Sequence, residues 1–117
     1  MCMQTAFGWV RIGEETFEND VIVHVDGTVT KRRKKLSKDL KADYGHTPLS
    51  DRELDFLKTE KPEVVIVGTG QYGDLPVTPK AKKILNKYDA AYLRTPEALE
   101  SMATERRPYV AIVHVTC

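Results

Sequence analysis

Cysteine occurs only at positions 2 and 117, at opposite ends of a 117-residue chain. A lone pair is no disulfide framework, and the Cys and His spacings match no zinc finger or helical zinc site. One bridge between the two ends stays geometrically open. Long apolar runs are also missing: the longest, Tyr109 to Val113, is broken by His114. A membrane-spanning helix needs roughly 20 apolar residues, so none is expected. Met1-Cys2-Met3-Gln4 has neither the basic start nor the apolar stretch of a signal peptide. Position 2 is not the glycine of a myristoylation signal, and Cys117 is not four from the end as in a prenylation box. A cytoplasmic protein with free thiols, off the membrane, is the resulting expectation. Charge of one sign is not in excess either: 18 Lys+Arg against 17 Asp+Glu leave a net +1, which names no partner class.

What is present suits a folded chain. With 41% hydrophobic and 30% charged residues, disorder is excluded, and the length fits one domain rather than two. Gln4 to Arg11 reads as a strand with Val10 and Ile12 on one face and Phe7 and Trp9 on the other, followed by a turn at Gly13-Glu14-Glu15. Val21 to Val25 is a second strand, and Asp26-Gly27 before Thr28-Val29-Thr30 is a two-residue hairpin signal. The opening third is therefore expected to be an antiparallel meander. Ser50-Asp51-Arg52-Glu53 is a capping box that starts an amphipathic helix ending before Pro62. Val64 to Val67 and Val110 to Val115 read as strands buried on both faces. Thr78-Pro79 and Thr95-Pro96 each read as a cap and first-position proline, the second helix running to about Ala103, with a short strand Ala91 to Leu93 between. Helix and strand thus alternate over the final two-thirds, predicting an α/β fold with parallel pairings.

Gly68-Thr69-Gly70-Gln71-Tyr72-Gly73 matches G-x-G-x-x-G directly after a buried strand. A dinucleotide fold needs the third glycine inside the helix and an acid closing the next strand. Here Asp74 to Val77 intervenes, and Asp89 precedes its strand, so the dinucleotide reading fails. A reduced expectation remains, in which Gly68, Thr69, Gly70, Gly73 and Thr95 border a small-ligand site at a strand's carboxyl end.

Lys31, Arg32, Arg33, Lys34, Lys35, Lys38 and Lys41 are seven of the eighteen basic residues, opposed locally by Asp39 alone. The segment 31–41 therefore carries +6 and the remainder −5. Such a run can bind phosphate-rich partners, with Ser37 a candidate phosphate contact. It can equally be a solvated arm or dock an acidic protein surface. No aromatic residue interleaves it, which argues against single-stranded nucleic acid.

The histidines are His24, His46 and His114. His24 and His114 read as satisfied strand residues. His114 and Cys117, three apart, point to opposite faces of a strand and cannot share a metal ion. A Cys117 pair with His46 or His24 would have to be made in space. No paired carboxylates stand out for acid–base work.

The ending Val113-His114-Val115-Thr116-Cys117 resembles the His-x-Thr-Cys close of the Mth-type domain family of unknown function. Phe7-Gly8, Asp20-Val21-Ile22, Val67-Gly68-Thr69-Gly70 and Thr95-x-x-Ala98 match its other segments in order, so the resemblance covers essentially the whole chain. It implies a three-layer α/β fold, a mixed sheet between helices with additional β structure at the amino end. No established reaction comes with it. Mitochondrial relatives act in assembling a respiratory complex, but the tryptophan-rich residues of the vertebrate branch are replaced here by the basic run. The asparagine often found in the last helix is also missing from Leu99-Glu100-Ser101-Met102. The leading expectation is a non-catalytic interaction or assembly factor docking an acidic partner through Lys31, Arg32, Arg33, Lys34, Lys35 and Lys38. The alternative is a phosphate-bearing small-ligand binder or enzyme at the glycine loop. No cofactor, metal or nucleic-acid partner is expected, and the oligomeric state is open.

Overall fold

The alternation that reads as one strand over residues 4–11 folds back on itself. The computed structural model describes residues 2–117. In it Met3–Ala6 (β1) and Trp9–Ile12 (β2) form a hairpin across Phe7-Gly8, with Ala6 opposite Trp9. Glu15–Phe17 (β3) completes a three-stranded antiparallel sheet. The period-two pattern survives the correction, since Val10 and Ile12 are buried and Arg11 is exposed.

The main sheet has five strands. Val21–Val23 (β4), Val29–Lys31 (β5), Val64–Thr69 (β6), Asp89–Leu93 (β7) and Tyr109–His114 (β8) lie in the order β5-β4-β8-β6-β7. β4 pairs antiparallel with β5 and β8, whereas β6 pairs parallel with β7 and β8. The opening meander is thus divided between two sheets. β6 and β8 are buried on both faces, which is why they read as unbroken apolar runs. The β4–β5 loop is longer than the two residues predicted. His24 N donates to Thr28 O and Gly27 N to His24 O, which encloses Val25-Asp26-Gly27. Gly27 takes the left-handed backbone (φ 88°) that this three-residue turn requires.

Helices cover both faces of the main sheet. A 3-10 helix, Lys34–Leu40, leads into Lys41–Tyr44 (α1). The capping box at Ser50 and Glu53 is present, but it opens a short 3-10 helix, Asp51–Glu53, rather than a continuous α-helix. The chain then continues in three-residue turns to Leu57–Glu60 (α2), ending before Pro62. Leu54 and Leu57 are both fully buried, three residues apart on the side that faces the sheet. These turns and Pro79–Leu85 (α3), capped by Thr78 as predicted, pack on Ile22, Val65, Val67 and Ile112. Thr95–Thr104 (α4) and the small sheet pack on the opposite face, against Val21, Val23, Ile66 and Val113. The result is the expected three-layer α/β arrangement. Among the described residues no helix is long and apolar enough to cross a membrane.

Candidate functional site

The loop after β6 closes on the chain itself. Gln71 N donates to Thr116 O (2.7 Å), Tyr72 N to Cys117 O (3.2 Å) and Asp74 N to Cys117 O (2.9 Å). Gly70 N donates to the Thr95 hydroxyl (2.9 Å), which donates in turn to His114 O (2.6 Å). A Cβ on Gly70, whose φ is +104°, would stand 2.3 Å from the Cys117 carbonyl carbon. Glycine is needed there for close approach of the chain's own backbone. The structure does bring Gly68, Thr69, Gly70, Gly73 and Thr95 together. A Cβ on Gly68 would meet Thr95 Oγ1 at 3.1 Å, and one on Gly73 would meet Arg94 Cγ at 3.2 Å. Gly73 N donates to Gly70 O, and the Thr69 hydroxyl to Leu93 O. Donors that the ligand reading reserved for a phosphate are therefore spent on the chain itself. Thr95 also departs from its expected role: Arg94 is the cap residue, and the Thr95 hydroxyl ties the loop to β8 instead of capping α4.

The basic run separates into one buried cation, Arg32, and six exposed ones, Lys41 among them. Arg32 is 2% exposed. Its guanidinium donates to Glu53 Oε1 (2.7 Å) and Oε2 (3.0 Å), to Asp20 Oδ2 (2.8 Å) and to Pro48 O (2.9 Å). All three guanidinium nitrogens donate inward, so Arg32 is corrected from a docking residue to an internal anchor. Ser37 is corrected likewise: its buried hydroxyl bonds Ser50 and Glu53 rather than facing a phosphate. Lys31, Arg33, Lys34, Lys35 and Lys38 remain exposed. Among the described residues no carboxylate lies within ion-pair distance of these five. Asp39, the local counter-charge, is held by Arg52. A groove of about 520 Å³ runs along Lys31 to Leu36.

The anchor belongs to a buried polar network. Asp20 accepts from Arg32, from His114 Nδ1 (2.8 Å) and from Val115 N (2.9 Å). Burial pushes the Asp20 carboxyl up. The His114 hydrogen bond and charge, the Val115 N–H and Arg32 together overcome this and hold it at about 2. The Arg32 guanidinium loses by burial and gains more from Glu53 and Asp20, so its pKa is raised. His114 Nε2 faces the Thr116 hydroxyl at 3.2 Å. Carboxylate, imidazole and hydroxyl stand in the order a hydrolase uses, but His114 is 4% exposed and the order joins β4 to β8 inside the fold.

The matching family model covers residues 3–114 and is described as a protein of unknown function (DUF498/DUF598). The chain belongs to this family. Among solved structures, the DUF498/DUF598 chain is similar to the conserved hypothetical protein PH1505 from Pyrococcus horikoshii OT3, with 31% identity over 100% of both chains and a TM-score of 0.87. It is similar to the protein MT938 at 37% identity over 97% of this chain and 96% of the other, TM-score 0.80. A Mth938-like domain from Bordetella pertussis shares the fold at 19% identity over 94% and 82% of the two chains, TM-score 0.53. The Mth-type resemblance and its fold are thereby borne out. No curated protein matches the chain.

Two contacts in this DUF498/DUF598 protein join residues that spacing alone leaves apart. Cys117 Sγ lies 3.8 Å from His46 Nδ1, so the clasp at the glycine loop also sets a thiol beside an imidazole. His24 bonds Glu60 through Nδ1 and Thr30 through Nε2, as a satisfied strand-end residue. Both cysteines are free. Sequence reasoning misses Asp20 and Glu53 as partners of the run. The capping box does mark Glu53, and the closing motif marks His114. The resemblance marks Asp20 through the Asp20-Val21-Ile22 segment but not its partners, since its hydrogen bond to His114 spans 94 residues. Among the described residues no three His, Cys, Asp or Glu converge on a metal position.

Proposed function

We propose that this DUF498/DUF598 protein is a non-catalytic cytoplasmic interaction or assembly factor. It docks an acidic protein partner through Lys31, Arg33, Lys34, Lys35 and Lys38. The observation that carries the reading is the division within the basic run. Five cations stand in solvent without a carboxylate, while Arg32 between them is locked inside by four hydrogen bonds. An exposed cation gains little from a surface pair alone. Several held on one anchored arm steer a complementary surface and lose less freedom when it binds. Absence of an aromatic residue from Lys31 to Lys38 favours a protein over single-stranded nucleic acid. The non-catalytic part rests on the glycine loop, whose amides already bond the chain's own carbonyls and the Thr95 hydroxyl.

The test is recovery of partners by the native chain and by a variant with those five residues changed to Ala. Arg32 stays intact, because losing it unpairs two buried carboxylates. Recovery of an acidic protein that falls with added salt and vanishes in the variant supports the proposal. Equal recovery by both chains contradicts it.

A further inference from the structure

β5 is an outer strand of the main sheet, and its far side has no strand. The pairing with β4 sets Thr30 opposite Ile22. On either side of that pair, His24 N donates to Thr28 O and Arg32 N to Asp20 O. Residues 28, 30 and 32 therefore bond inward. By the alternation of an antiparallel ladder, Val29 and Lys31 turn their N–H and C=O groups outward. Among the described residues these outward groups have no backbone partner. Open edges of this kind are guarded by a very short strand, by charge, by a bulge, by a proline or by a covering loop. Here the guards are the three-residue length of β5 and the positive charge that begins at Lys31, and that charge repels a second copy of the same edge but admits a strand of opposite charge.

The arm continues from this edge. Lys31 ends β5, and Arg33, Lys34 and Lys35 follow around the groove of about 520 Å³ that includes Leu36. Arg32, between them, is pinned to Asp20 and Glu53, which fixes where the edge stops and the groove begins. The other outer strand, β7, starts at Asp89 after Lys87 and meets no comparable run. Within the main sheet, open edge and basic run coincide at β5.

We infer that the partner's binding segment is an extended acidic peptide that adds as a strand to the free edge of β5. Its backbone bonds Val29 and Lys31, and its carboxylates meet Lys31, Arg33, Lys34 and Lys35. This mode of recognition takes affinity from main-chain hydrogen bonds and specificity from side chains beside the edge. The inference rests on the docking reading above and adds the conformation of what docks.

The experiment uses the full chain and a synthetic peptide in which glutamate alternates with valine and threonine. Binding is followed by amide resonances and by amide exchange. Strand addition predicts that the Val29 and Lys31 amides shift and exchange more slowly, while those of Thr30, bonded to β4, and Arg32, bonded to Asp20, change little. Lys31→Ala and Lys31→Pro remove the same charge, but only proline removes the outward N–H. Lys31→Pro should therefore bind about tenfold more weakly than Lys31→Ala, the worth of about one hydrogen bond. The same peptide with methylated amide nitrogens on one edge keeps its charge and should lose binding to the native chain, which gives the answer even if Lys31→Pro folds poorly. Equal affinities for the two Lys31 variants and undiminished binding of the methylated peptide would overturn strand addition. If Lys34→Ala and Lys35→Ala still weaken binding in that case, docking stands and only the strand fails. If they also have no effect, both readings fail.

Discussion

Arg32 lies among exposed cations, but its own surroundings are a protein interior. Removing a buried partner leaves the opposite charge unpaired, and this costs more than the pair contributes net. Arg32→Ala should lower unfolding free energy by about 3–5 kcal/mol in urea. Lys34→Ala, two residues on, should stay within about 0.5 kcal/mol. Asp20 adds a pH signature. Its folded-state pKa lies below the ordinary 3.8, at about 2. The unfolded chain therefore takes up the proton first as pH falls. The stabilisation is fully present above 3.8 and is lost as pH falls through the window down to about 2. The shift corresponds to about 2 kcal/mol. Urea titrations across this window should show the native chain losing about that much more than Asp20→Asn, which has no carboxyl to protonate. Parallel curves for the two proteins would remove Asp20 from the account.

Thr95 acts at the scale of elements, where one hydroxyl ties the loop after β6 to the carbonyl at the end of β8. Thr95→Val keeps the shape and strands a buried N–H and C=O. It should cost about 2 kcal/mol, speed exchange of the Gly70 amide and be largely rescued by Thr95→Ser. At this scale the sequence is most legible where period and boundary agree. β6 and β8 announce themselves as apolar runs, and Thr78-Pro79 as a helix start. The Phe7-Gly8 reversal is not legible, because the alternation of apolar residues continues through it. The turns from Asp51 to Glu60 read as one α-helix because the capping box is real. Leu54 and Leu57, three apart, suit one face of either kind of helix, so their spacing does not separate the two. For the site, the glycine loop is visible as a motif and its occupant is not. Residues 115–117 reach it only after β8 crosses beside β6. Arg32 is indistinguishable by sequence from its neighbours in the run, since its partners Asp20 and Glu53 lie 12 and 21 residues away.

For the whole molecule, the near-zero net charge conceals a division of +6 between residues 31 and 41 against −5 elsewhere. Folding withdraws Arg32 into the network with Asp20 and Glu53 and leaves the other cations exposed, at the end of β5 and in the turns that follow it. The polarity that solvent and partners meet is then an arm of lysines and Arg33, held at its root and free at its surface. Such a surface should associate faster at low ionic strength, with the advantage fading once salt screens charges beyond about 10 Å. Zero-length carbodiimide cross-linking in intact cells reads the central claim directly, because it joins an amine to a carboxylate only where the two already touch. Docking through the arm predicts cross-links from Lys31, Lys34, Lys35 or Lys38 to Asp or Glu side chains of another protein. Cross-links confined to lysines of the body, such as Lys80, Lys82 and Lys83, with the arm lysines left unmodified, would contradict it.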